Sequence, residues 1–356
     1  MSIHKMKALI EFYKDKKVFV TGNTGFKGAM LCQMLQRFGA IVQGYSLEPP
    51  TTPALYTILG QNSSVNTYIG DIRDFQELSM VFEKFQPEIV FHLAAQPIVR
   101  ESYQNPLYTY ETNVMGTVHV CECIRKNACV RSFVNVTTDK VYQNDETEIP
   151  FTEDMYLNGH DPYSNSKSCS ELVTHSYVRS FLGEMDVAVS TARAGNVIGG
   201  GDFAKDRIVP DCYRAVIAGK DIVLRNPYSI RPFQHVLEPL YTYLLIAKEQ
   251  YEDRSKQGSY NVGPDDESCI TTGELADLFC QYWGDDVKWV NQHDGGPHEA
   301  GFLKLDCTKL KNTFDWKPFW TVDQAVQMTV EWYKAYYEGM NMIEVTDRQI
   351  GGLLNV

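Results

Sequence analysis

Val18-Phe19-Val20-Thr21-Gly22-Asn23-Thr24-Gly25-Phe26-Lys27-Gly28 is the stretch on which the fold turns. A β-branched and aromatic run gives way to glycines at 22, 25 and 28, and the residues from Ala29 to Arg37 then read as a helix. Without Cβ atoms the chain can turn tightly and approach a pyrophosphate, which the first amides and the dipole of the helix favour. A glycine triplet also fits an ordinary strand-to-helix turn, so its surroundings decide. Gly70-Asp71-Ile72 and His92-Leu93-Ala94-Ala95 follow at later strand ends. In a doubly wound sheet the carboxyl ends of strands line the cofactor crevice. Gly22, Thr24, Gly25, Phe26, Lys27, Gly28, Asp71, Ile72, Leu93, Ala94 and Ala95 are therefore the candidate cofactor contacts.

Outward from that loop, short runs at Val18–Gly22, Ile41–Leu47, Glu88–Ala95 and Ser132–Thr138 alternate with amphipathic stretches, and a fifth run ends near Asn196. This alternation predicts an α/β fold, a Rossmann-type doubly wound parallel sheet. Beyond Asn196, glycine- and proline-punctuated segments predict a smaller, discontinuous C-terminal substrate domain. The expected cofactor domain is 15–195 plus about 232–260, and the substrate domain is about 196–231 plus 261–340. Residues after about Gly339 are expected to form a loosely held tail. No internal repeat stands out.

Composition narrows the partners. With 356 residues, 44% hydrophobic and 22% charged, the chain exceeds one compact domain. A net charge of −12 argues against nucleic acid, whose binders present a basic face. Nine cysteines without a Cys-x-x-Cys pair read as free thiols in a reducing compartment. The apolar run at the N-terminus is too short for a signal peptide, and Leu240–Ala247 is too short to span a bilayer, so a cytoplasmic protein with no membrane partner is expected. No metal site is expected, because His298-Glu299 has no second histidine at helical spacing. His235 and the remaining histidines read as structural or surface groups.

The second run ends Ser46-Leu47-Glu48, and neither arginine nor lysine follows it to meet a 2′-phosphate. That favours NAD, with Lys27 the one contrary hint. Tyr163-Ser-Asn-Ser-Lys167 sets a phenol and an ammonium one helical turn apart on one face. A phenol with an ordinary pKa of about 10 needs such a neighbour to act as a base near neutrality. A second copy, Tyr13 to Lys17, precedes the glycine loop and reads as a solvated chance match. The copy at Tyr163 differs in following the run that ends Val136-Thr137-Thr138, whose hydroxyls suit the same substrate oxygen; its alternative is a surface helix pair. Asp139 and Lys140 come next, in what should be a loop at the sheet's carboxyl edge.

The order GxxGxxG, Thr-Asp-Lys, Tyr-x-x-x-Lys, Arg-Ala-Gly-Asn resembles the extended short-chain dehydrogenase/reductases. Within them GNTGFKG, GDIRD, QPEIVFHLAAQPIVRESYQNP, NVTTDKVYQN, GHDPYSNSKSCSELV, RAGNVIGGGDFAKDRIVPD, RNPYSIRPFQHVLEPL and HEAGFLKLD resemble the branch of CDP-glucose 4,6-dehydratases. The likeness runs from about residue 17 to 320, with Asn23 where the family often has histidine and Val141 where it often has cysteine. It implies that Tyr163 takes the 4-hydroxyl proton while NAD accepts the C4 hydride, assisted by Thr138 and Lys167. Lys140 then removes the C5 proton as Asp139 protonates the departing 6-hydroxyl, or Lys140 stabilises the enolate electrostatically while Asp139 or a water does the proton work, and the hydride returns to C6. The same likeness implies Asn196 and Arg231 at the substrate diphosphate. Arg207 joins them on charge and placement, and His298 lies in a matching segment. A nucleotide-sugar epimerase or reductase shares all of this except the acid at 139. A nicotinamide-binding protein without chemistry is the reading from another class. A homodimer or homotetramer is expected by analogy.

Overall fold

The computed structural model describes residues 3–147, 149–284, 286–292 and 301–354. Seven strands form its main sheet: β1 Lys17–Thr21, β2 Ile41–Ser46, β3 Asn66–Ile69, β4 Ile89–His92, β5 Ser132–Thr138, β6 Ala188–Ala194 and β7 Gly258–Val262. All neighbours are parallel, in the order β7-β6-β5-β4-β1-β2-β3. The expected doubly wound sheet is present. β3 (NTYI) and β7 (GSYNV) add to the five runs seen in the sequence; their polar and glycine residues hide the apolar pattern.

Strand alternation divides the interior into two cores. Val18, Val20, Val134 and Val136 face one side, while Phe19, Val90 and Phe133 face the other. Helices α1 (Ile3–Tyr13), α2 (Phe26–Arg37) and α6 (Leu237–Glu252) cover the first side. The second carries α3 (Phe75–Phe85), α4 (Gly116–Lys126) and α5 (Pro162–Ser180). Because β1 lies between β4 and β2, the winding reverses beside it, and a crevice opens at the strands' carboxyl ends. Short strand pairs, Val197–Ile198 with Gln234–His235 and Ile230–Pro232 with Cys269–Thr271, carry later segments to that edge.

Two expectations are corrected. The tail beyond Gly339 is a packed helix, α8 (Met342–Leu354), following α7 (Val322–Tyr337). Its residues Met342, Val345, Thr346, Ile350, Leu353 and Leu354 are buried, recurring three and four apart on one face, and Gly351-Gly352 masks the pattern in the sequence. The Trp332 indole donates to Thr346 at 2.9 Å, and Gln33 of α2 donates to Asp347 at 2.8 Å. Tyr13 is core rather than solvated, and its hydroxyl donates to the Leu244 carbonyl at 2.8 Å. His235 is fully buried, the structural one of the two readings given for it. All nine cysteines are free. Among the described residues no helix is long and apolar enough to cross a membrane.

Candidate active site

Where β5 ends, Thr138 turns the chain into a single 3-10 turn, Asp139–Val141, and its hydroxyl accepts from the Lys140 amide at 3.4 Å. The same hydroxyl donates to Asp139 Oδ1 at 2.9 Å. Asp139 Oδ2 is buried and has no hydrogen-bond partner among the described residues. Burial pushes the Asp139 carboxyl above its ordinary value, against the pull of Lys140, Thr138, Arg231 and Lys27.

α5 brings Tyr163 and Lys167 to this turn. Asp161 caps it by accepting from Ser164 N at 3.0 Å, and Pro162 opens it. Its buried face is Ser164, Ser166, Lys167, Ser168, Ser170, Glu171 and Thr174, so hydrogen bonds hold it where apolar packing would be usual. Asn135 of β5 donates to Ser170 at 3.0 Å and to Thr174 at 2.9 Å, and Lys167 donates to the Val136 carbonyl at 3.0 Å. Burial lowers Lys167 to about 8, opposed by Glu171. Burial pushes the Tyr163 phenol up to about 12, with a hydrogen bond to Thr138 opposing and the Asp139 charge adding to it. Arg207 is a cation that eases Tyr163, and the Lys167 ammonium spends one of its donors on Val136.

A cavity of about 700 Å³ unites these groups: Thr138, Asp139, Lys140, Tyr163, Asn196, Arg207 and Arg231 all line it. Arg207 is held by Asp202 at 2.8 Å, and Arg231 donates to the Ile230 carbonyl at 2.8 Å. Lys27 lines the cavity too, whereas Ser46, Leu47 and Glu48 do not. Its ammonium thus faces Arg207, Asp139 and Lys167, and burial followed by Arg207 lowers it to about 8. This removes Lys27 as a hint of 2′-phosphate recognition. Arg100 and Asn226 line the cavity without having been singled out in the sequence. His298 lies outside the described residues.

The glycine loop is built to accept a dinucleotide. Gly22 has φ +77°, and a Cβ there would lie 2.7 Å from the Ala94 amide nitrogen; one on Gly28 would lie 2.1 Å from the Gly22 carbonyl oxygen. Gly25 is the N-cap of α2 with no side-chain cap, so the first-turn amides stay available to an anion. Thr24 donates to the Leu47 carbonyl at 2.9 Å, and Thr21 Oγ1 accepts from Leu93 and Ala94 at 3.2 and 3.1 Å. Phe26 and Ala95 are half-buried beside the loop. Asp71 pairs with Arg73 at 2.7 Å, and Ile72 packs where a Cβ on Gly116 would stand. Asn23 sits against Gly44 and donates to Thr67 at 2.8 Å, which accommodates the departure noted at that position.

A phenol, two ammonium groups, a hydroxyl and a buried acid in one cavity can move protons to and from several atoms of one ligand, while Arg207 and Arg231 offer charge to an anionic one. Against known proteins, the model of a family described as GDP-mannose 4,6 dehydratase matches residues 19–329. The chain belongs to the GDP-mannose 4,6 dehydratase family. Within this dehydratase family, a CDP-glucose 4,6-dehydratase of Salmonella typhimurium is 44% identical over 350 residues, 97% of this chain and 98% of the relative. A dTDP-glucose 4,6-dehydratase of Haemophilus influenzae is 25% identical over 347 residues, 89% of this chain and 97% of the relative. The fold of this dehydratase family member matches that of a Bacillus anthracis dTDP-glucose 4,6-dehydratase in complex with NAD, at TM-score 0.75 and 22% identity over 92% of this chain and 99% of the other. A Thermotoga maritima UDP-glucose 4-epimerase with UDP-glucose matches at TM-score 0.78 and 22% identity, over 90% and 99%.

Proposed function

We propose that the chain is an NAD-dependent hydro-lyase that converts CDP-glucose to CDP-4-dehydro-6-deoxyglucose. The observation that carries this reading is Asp139. A buried carboxyl with one oxygen unpartnered among the described residues shares a cavity with Tyr163 and Thr138, which is what elimination needs and epimerisation does not. Similarity over nearly the whole chain to a CDP-glucose 4,6-dehydratase supports the nucleotide.

NAD, held on Gly22, Thr24, Gly25, Phe26 and Gly28 with Asp71, Ile72 and Leu93–Ala95 around it, supplies when bound a hydride acceptor and donor and a positive charge beside the phenol. Tyr163, bonded to Thr138, takes the proton of the sugar 4-hydroxyl as C4 becomes a ketone. The ketone acidifies C5–H. Lys140, at the cavity wall, removes that proton, or stabilises the enolate while Asp139 or a water takes it, and Asp139 gives a proton to the 6-hydroxyl, which leaves as water; C6 then receives the hydride and C5 a solvent proton. Lys167 would hold the cofactor, and Lys27, which lines the same cavity, adds positive charge near Asp139. Asn196, Arg207 and Arg231 bind the diphosphate, with residues 196–231 and 261–340 forming the substrate-binding part and 15–195 with 232–260 the cofactor part.

We place the enzyme in the cytoplasm, acting on free nucleotide sugar and feeding deoxysugar biosynthesis such as that of lipopolysaccharide O-antigen. A homodimer fits Leu107, Met115 and Leu172, which are 72%, 46% and 53% exposed on adjoining helical segments. The test is incubation with CDP-glucose and catalytic NAD in deuterated water, followed by mass spectrometry and proton NMR. Loss of one water, deuterium at C5 and no net NADH are expected. Isomerisation without water loss would sink the reading in favour of an epimerase, and net cofactor turnover in favour of a reductase.

A further inference from the structure

We infer that the buried Glu171–Arg193 pair is the positioning device of this site: it grips both ends of the Thr138–Val141 turn and holds Lys167 in its charged state. The role of the turn rests on the function proposed above; the grip itself rests on geometry.

Glu171 lies one helical turn beyond Lys167 on α5, and its side chain has no solvent exposure. Its carboxylate collects four groups from two strands. Thr137 of β5 donates to Oε1 at 2.5 Å, Thr191 of β6 donates to Oε2 at 2.7 Å, and Arg193 of β6 donates from Nε at 3.1 Å and from its terminal nitrogen at 2.9 Å. Thr137 immediately precedes the turn. Arg193 reaches the turn's other end, donating to the Tyr142 hydroxyl at 2.8 Å and to the Glu153 carbonyl at 3.0 Å. Tyr142 in turn donates to Asn261 of β7 at 2.6 Å. One ion pair therefore ties α5, β5, β6 and β7 together around the four residues that carry Asp139 and Lys140.

The electrostatic lever is separate from the mechanical one. Lys167 is faced by Glu171 from its own helix, by Lys27 from α2 and by His92 from β4. Burial and the Lys167 charge hold His92 neutral, down at about 3. Lys27 carries the wrong sign. Glu171 is thus the anion that favours protonated Lys167. Burial alone would raise Glu171, but Arg193, Thr137 and Thr191 override it and keep it ionised. His175, 3.7 Å from Glu171, is itself held low by burial and adds no competing charge near neutrality.

The experiment follows NADH affinity by fluorescence across the alkaline range, beside turnover of CDP-glucose and thermal melts. In the parent enzyme affinity should weaken as Lys167 loses its proton, and Lys167→Met should abolish that dependence. Glu171→Gln should move the midpoint about one pH unit towards acid, the size of shift a neighbouring opposite charge produces. Should the buried arginine left behind unfold that variant, Glu171→Gln/Arg193→Met orphans no charge and should fold with the midpoint still displaced. Thr191→Val, which loses a hydrogen bond but no charge, should lower the melting temperature and leave the midpoint in place. A dependence that survives Lys167→Met, or a midpoint unmoved in a folded Glu171 variant, overturns the inference. A displaced midpoint in an enzyme that never dehydrates CDP-glucose leaves the inference standing and removes the proposed substrate.

Discussion

One oxygen of Asp139 takes a hydrogen from Thr138 and the other is buried without a hydrogen-bond partner among the described residues. Asp139→Asn removes the proton donor but keeps the shape, so product formation should fall by about 10²–10⁴, the usual worth of general acid catalysis. Oxidation at C4 does not need that proton, and NADH should accumulate on the variant, visible by absorbance during a single turnover. The same change should raise stability. The folded carboxyl sits above its ordinary value, so its contribution is fully present below the ordinary carboxylate range and is lost as pH rises through the folded value. Asp139→Asn should therefore melt above the parent at pH ~7 and match it near pH ~4. At this scale much was legible. Tyr163 and Lys167 are marked by their spacing, Thr138 by its place at a strand end and Asp139 by the resemblance, and chain order survives folding. The aim of Lys27 and the engagement of Lys167 by Val136 are decided by which neighbours burial brings close, and no local pattern states that.

Glu238 shows how an element is fastened. It stands in the first turn of α6, its Oε1 accepting from the amides of Phe319 and Trp320, the former at 2.6 Å, while Oε2 is buried without a partner among the described residues. Burial raises it from 4.5 to about 7, opposed by those amides. Its stabilising contribution is thus complete below 4.5 and lost as pH rises through about 7. Glu238→Gln keeps an acceptor for both amides, so its advantage over the parent should be small at pH ~5 and grow to about 3 kcal/mol at pH ~8, read from paired melts. α8 supplies a second case. Ile350 is fully buried in it, and Ile350→Ala should cost about 2–5 kcal/mol in denaturant unfolding while leaving the residues around Tyr163 in place. Elements with uninterrupted apolar periods announced themselves. α8 did not, because two glycines break its stripe; nor did β3 and β7, whose polar residues suit a sheet's edges.

For the whole molecule, the doubly wound parallel sheet and a cofactor crevice at the strands' carboxyl ends followed from the alternation of runs and the placement of glycines, since a parallel sheet admits few windings; the strand order came from the fold. How two copies would meet is not a property of any run. Leu107 and Leu172 are exposed on segments that pack together, and Leu107→Glu/Leu172→Glu should convert a dimer to monomers in light scattering while the melting temperature of the isolated protomer changes little. The serine-rich face of α5 has a different consequence. Apolar surfaces tolerate small slides, because a methyl group that leaves one neighbour settles against the next at little cost. The bonds from Asn135, Thr137 and Val136 to α5 permit no such trade: shifting the helix by one residue would misalign them all together. The helix behaves as a key cut for one depth, and drift in this family should therefore be free in the Val and Leu beneath α6 but frozen in the hydroxyls beneath Tyr163.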